Sequence, residues 1–178
     1  FIVLSLFHFG QSNWVYIFPE SSVLSWLTYT IWGMFVLFIP IIAHYDTALP
    51  VVSAISPNMA WQLSEGLRNG IIITVSIMTF STVLGLFLLG ILSQRNFINE
   101  LFNLLILGVA LYQLPLWLGF AFYFAVWHSL TSIQEQIAFF KSNSPGYNWK
   151  DYVKNTTPLS VVSLIGITGL IYWSGSFN

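Results

Sequence analysis

Charge is missing from five long stretches of this chain. Residues 1–19, 21–45, 69–94, 101–134 and 155–178 contain no Asp, Glu, Lys or Arg. Nor do they alternate: residues 71–90 hold only apolar residues, Ser, Thr and Gly. An apolar run longer than about 18 residues predicts a helix that crosses a bilayer, since a helix satisfies its own backbone hydrogen bonds in lipid. A membrane barrel would show short alternating segments instead. The pattern predicts an all-α fold, a polytopic transmembrane helix bundle with about six spans, forming a single transmembrane domain over residues 1–178.

Breakers set the expected boundaries. The first span covers residues 1–18 and is closed by Pro19 and Glu20. The second covers 23–43, with Ser21 or Ser22 as N-cap. Residues 45–69 carry Asp46, Pro50, Pro57, Glu65 and Arg68 and are too broken to span. They are expected at the interface, with a short amphipathic helix near 58–67 anchored by Trp61. The third span runs over 70–92, ended by Gln94 and Arg95. Helical pattern then persists from 97 to 140, and one straight rod of that length would measure roughly 66 Å, more than a bilayer of about 40–45 Å. Pro115 is the expected reversal, giving spans 97–114 and 116–140. A last span starts at Pro158, placed at N1 after Thr157, and runs to about Trp173.

This count also predicts an orientation. Arg95, Lys141, Lys150 and Lys154 fall on one side and Arg68 on the other, so the four-residue side is expected to be cytoplasmic, with the protein in the cell (inner) membrane. The chain opens at Phe1 without Met, already inside an apolar run and without a basic leader. It reads as a fragment, with at least one helix expected upstream.

Composition narrows the chemistry. Charged residues are 6% of the chain, against about a quarter in an ordinary globular domain, and mean hydropathy is +0.77. A net charge of −1 with five scattered bases argues against a nucleic-acid surface. The absence of cysteine excludes disulfides, thiolate metal sites and iron–sulfur clusters.

Two of the three histidines lie inside spans. His8 is roughly 15 Å and His128 roughly 18 Å from the expected cytoplasmic ends of their helices, so both reach a similar depth. Imidazole suits iron, copper and zinc, and it serves equally as interhelical hydrogen-bonding glue. Gln11, Ser12 and Asn13 follow His8, and Asn13 would either steady a metal-bound His8 or bond within the bundle. Ser129, Ser132 and Glu135 follow His128. Ser132, at i+4, shares its face, whereas Glu135 is about 10.5 Å along the axis, too far for a common ion. His44, beside Tyr45 and Asp46, reads as an interfacial or capping residue. Trp14, Tyr16, Trp149 and Trp173 read as belt residues. Tyr112, Trp117, Phe120, Phe122, Tyr123, Phe124 and Trp127 crowd the segment before His128. They would wall a slot for a long planar apolar ligand, or simply pack helices.

Phe-His-Phe-Gly at 7–10 and Tyr-Phe-Ala-Val-Trp-His-Ser-Leu at 123–130 resemble two motifs of the Brp/Blh family of integral-membrane β-carotene 15,15'-dioxygenases. The stretch from Trp32-Gly33 through Pro40 to His44, and Gln-Leu-Pro-Leu at 113–116, are similar to the family pattern as well, in order along nearly the whole chain. The resemblance implies central oxidative cleavage of β-carotene into two retinals, with O2 as co-substrate, at non-haem iron, Fe(2+), held by histidines. It implies His8 and His128 as ligands, and the slot read above from Tyr112, Trp117, Phe120, Tyr123, Phe124 and Trp127 would then be the substrate-binding one. The surroundings implied are the lipid bilayer and a retinal-using protein downstream, with no nucleic acid.

The chain departs from the family pattern at four positions. Ser132 stands where a further histidine is expected and Thr131 where an Arg is. Asn13 replaces an Asp and Ile31 an Arg. Ser132 motivates a second reading, a catalytically inactive relative that binds carotenoid or retinal. A third is a membrane subunit or transporter with structural histidines, against which stands the lack of paired charges within the spans.

Overall fold

The computed structural model describes residues 2–18, 20–55 and 62–175. Every regular element among them is helical: α1 Ile2–Trp14, α2 Val23–Ala43, α3 Tyr45–Ile55, α4 Glu65–Leu88, α5 Gln94–Gln113, α6 Leu116–Phe122, a π-helical segment Tyr123–His128, α7 Ser129–Asn143 and α8 Trp149–Gly175. The chain divides into two compact units, residues 1–131 and 132–178.

In the first unit α2 is the central helix and packs on α1, α3, α4, α5 and α6. Its buried positions, Ser25, Thr28, Tyr29, Trp32, Gly33, Phe35, Val36, Ile39 and Pro40, recur every three or four residues. They therefore form a continuous stripe at the helical period. Ser22 caps the helix: its hydroxyl accepts from the Ser25 N–H at 3.1 Å, and the Ser25 hydroxyl accepts from the Ser22 N–H at 2.9 Å. The reciprocal pair satisfies two donors that a helix start otherwise leaves bare.

Two glycines set how closely α1 and α2 approach. A Cβ on Gly10 would strike the backbone of Tyr29, and one on Gly33 would strike the backbone of Leu6. As Leu6 and Gly10 ascend α1, their partners Gly33 and Tyr29 descend α2, so the two helices cross antiparallel. Small residues at such a crossing let backbones touch, and dispersion then acts over short distances.

The reversal at Pro115 is present. Leu114 is extended (φ −73°, ψ 144°), as the residue before a proline prefers. Pro115 follows at φ −48°, ψ 144°, and α6 turns back onto α5, with Gly119 facing Leu111. Other boundaries differ from the expectation. The interfacial stretch contains α3 over Tyr45–Ile55, with Pro50 inside it. Of the helix expected at 58–67, residues 58–61, Trp61 included, lie outside the described residues, and 62–64 are not helical. α4 begins at Glu65 rather than near residue 70, because the Ser64 hydroxyl accepts from the Leu67 N–H at 3.3 Å and caps it there.

The second unit is described by itself. Phe140 meets Tyr147 with ring centroids 5.1 Å apart, and the Tyr152 hydroxyl donates to Gln136 Oε1 at 3.4 Å. Pro158 does not start the last helix. It sits inside α8, which begins nine residues earlier, where Asp151 Oδ2 accepts from the Asn148 N–H at 3.0 Å. Hydroxyls of Thr156 and Thr157 donate to the carbonyls of Tyr152 and Val153 at 2.9 and 2.6 Å, binding the turn next to the proline. Side-chain hydroxyls of this kind steady a proline-containing helix in an apolar medium.

Four helical stretches among the described residues are long and apolar enough to cross a membrane: Val23–Ala43, Glu65–Leu88, Leu116–Asn143 and Trp149–Gly175. The expectation of about six also counted α1 and α5. α1 has 13 residues, and the first half of α5 carries Arg95, Asn96, Asn99 and Glu100.

Candidate metal and carotenoid site

His8 and His128 meet. His8, on α1, and His128, at the end of the π segment, have ring centroids 5.8 Å apart with planes at 66°. His8 is exposed in the first unit and His128 half-buried. A metal bound at about 2.1 Å by two imidazole nitrogens puts the ring centroids roughly 4.5–6.5 Å apart, so this spacing accommodates one ion.

The π segment sets the direction of His128. Its wider turn carries an i→i+5 bond, from the Ser129 N–H to the Phe124 carbonyl. The Ser129 hydroxyl donates to the same carbonyl at 2.7 Å. His128 thereby stacks on Tyr123, five residues earlier, at 6.3 Å and 29°. In an α-helix two residues five apart point about 140° away from each other.

Aromatic rings pack around His128. Phe9 stands edge-on to Tyr123, Phe124 and His128 at 5.8, 5.4 and 6.2 Å. Phe124 meets His128 edge-on at 6.0 Å, and Phe120 stacks on Phe124 at 6.3 Å. Phe9, which sequence reasoning quoted within its motif without giving it a role, is thus a wall of the pair. Its signal was its place directly after His8. Tyr123 is fully buried and Trp127 packs against the core. Tyr112 and Trp117 face outward from the first unit.

Among polar neighbours, Ser12 approaches His128: its Oγ is 3.5 Å from Nδ1. Asn13, one residue on, is buried beside Glu100 instead. Ser132 belongs to the second unit. His44 caps the C-terminus of α2, its N–H donating to the Pro40 carbonyl at 3.0 Å. No group of three or more His, Cys, Asp or Glu side chains converges among the described residues.

An all-α protein with membrane-length apolar helices and two imidazoles brought together beside a cluster of aromatic rings is the class these features define. The family model for beta-carotene 15,15'-dioxygenase matches residues 1–178, the whole chain, and the chain belongs to that family. No curated protein and no solved structure matches it.

Proposed function

We propose that this chain cleaves a carotenoid, β-carotene or a close analogue, at its central double bond, using iron held by His8 and His128. The observation that carries the reading is the 5.8 Å approach of those two rings, with Phe9, Tyr123 and Phe124 packed around His128. The two imidazoles fit iron in donor type and in spacing, and they fill only part of a coordination sphere. Iron bound there would supply the activation of O2. The residues of this chain do the rest. His8 and His128 hold the metal from two separate helical segments, and Phe9, Phe124 and Phe120 offer flat apolar faces to a polyene. Such walls fix the register of the chain and keep water away. In the reaction one O2 is consumed, the central C=C bond breaks, and each half leaves as an aldehyde carrying one oxygen atom. Retinal formed this way would pass to a retinal-using protein. The protein would work in the cell membrane with Arg95, Lys141, Lys150 and Lys154 on the cytoplasmic face.

The test is retinal formation in carotenoid-producing cells expressing the full-length protein. Wild type is expected to form retinal, and His8→Ala and His128→Ala are each expected to lose both retinal formation and co-purifying iron. Retinal formation that survives both substitutions would overturn the reading. Ser132 favours a second one, in which carotenoid is bound without turnover. Carotenoid co-purifying with wild type in the absence of any retinal would select it.

A further inference from the structure

The contact between Ser12 and His128 is decided by a count of protons. Ser12 Oγ donates to the Phe9 carbonyl at 3.0 Å and lies 3.5 Å from Nδ1 of His128. A hydroxyl has one proton and two lone pairs. With the proton committed to Phe9, two lone pairs remain, one within reach of the Tyr123 hydroxyl and one facing the imidazole. A bare Nδ1 would set lone pair against lone pair, whereas Nδ1–H would donate into it. Neutral imidazole carries a single N–H, so a proton at Nδ1 makes Nε2 the electron-pair donor. Phe9, Tyr123 and Phe124 flank the ring at 6.2, 6.3 and 6.0 Å.

We propose that Ser12 is a positioning residue that holds His128 in its Nδ1–H tautomer and so presents the Nε2 lone pair to the metal. The role in metal binding rests on His128 being a ligand, as proposed above; the tautomer itself does not. A metal-ligating histidine normally gives its second ring nitrogen to an acceptor, and that bond fixes both tautomer and ring orientation. Serine accepts more weakly than a carboxylate. It also adds no charge, which suits a helix in an apolar medium.

The experiment uses full-length protein in detergent, metal-free and with 15N-labelled histidine, at a pH where imidazole is neutral. Nitrogen chemical shifts separate protonated from bare ring nitrogens. His128 is expected to show a protonated Nδ1 and a bare Nε2. Ser12→Ala is expected to shift it toward the Nε2–H form that unconstrained imidazole prefers, and Ser12→Thr, which keeps the hydroxyl, to retain the wild-type pattern. Iron affinity should fall about 10–100-fold in Ser12→Ala and recover in Ser12→Thr. Circular dichroism of each variant establishes that the helices are intact. Should Ser12→Ala fail to fold, the wild-type and Ser12→Thr spectra still decide. An Nε2–H tautomer in wild type, or a His128 signal unmoved in folded Ser12→Ala, overturns the proposal. A correct tautomer with no iron bound to wild type would overturn the metal reading and leave the Ser12 lock standing.

Discussion

Glu100 is 3% exposed, and its carboxylate accepts from the Tyr16 hydroxyl at 3.1 Å and from Asn103 Nδ2 at 3.3 Å. It ties the turn after α1 to the first half of α5, near the end of the helix that carries His8. Truncating it to Ala would leave the Tyr16 hydroxyl and the Asn103 amide without their acceptor. The expected cost is about 1–3 kcal/mol, read as a lowered unfolding midpoint in detergent, with Glu100→Gln milder because its carbonyl oxygen still accepts. An unchanged midpoint for Glu100→Ala would contradict the tie. This cluster was not legible in the sequence. Glu100 lies just ahead of an apolar run, while Tyr16, read as a belt residue, arrives from the turn after α1. The division of labour between Ser12 and Asn13 was equally hidden. One step along a helix turns a side chain by about 100°, so the adjacent residues serve two different neighbours.

At the level of elements, the crossing of α1 and α2 depends on Gly10 and Gly33 meeting backbone, which cannot move aside as a side chain can. Gly33→Val is expected to force the helices apart and cost more than about 2 kcal/mol, measured by unfolding in detergent. Gly85→Ala in α4 is the control: its Cβ would meet nothing within 4 Å, and it should be neutral or slightly stabilising. Equal effects from the two variants would refute the account. Where local chemistry is strong, the elements could be read directly. Ser22 starts α2 and Pro115 ends α5 because a cap and a proline act within a few residues. Where it is weak, they could not. Glu65 and Arg68 made the first turns of α4 look like part of a broken interfacial segment, separate from the span, although charge does not stop a helix. Pro158 looked like a start, yet a proline inside a helix is tolerated once neighbouring hydroxyls bind its turn. The π segment has no sequence signature at all, since its residues suit an α-helix equally.

For the whole molecule, the all-α class followed from the uncharged runs because a bilayer leaves helices few alternatives. The sidedness proposed for it can be tested on α4, whose 24 residues span about 36 Å. The chain has no cysteine, so single thiols can be introduced cleanly. Ser64→Cys and Ser93→Cys mark the two flanks of α4. In intact cells a membrane-impermeant maleimide is expected to label position 64, and position 93 only after permeabilisation. The reverse pattern would invert the orientation, and equal labelling of both would mean that α4 does not cross.

The six residues from Tyr123 to His128 separate two things that a regular helix keeps locked together, the direction of a side chain and the count of residues before it. The helix upstream and the histidine at its end keep different phases, and about one residue of slack makes up the difference. Loss of a single residue there would close the slack. The helix would remain, as apolar and as long as a membrane requires, while the imidazole swung from α1 by roughly a quarter turn or more. Activity in such a protein can therefore vanish, or arise, through one small insertion or deletion that leaves its folding untouched. Descendants alike in every helix could then differ wholly in what they do.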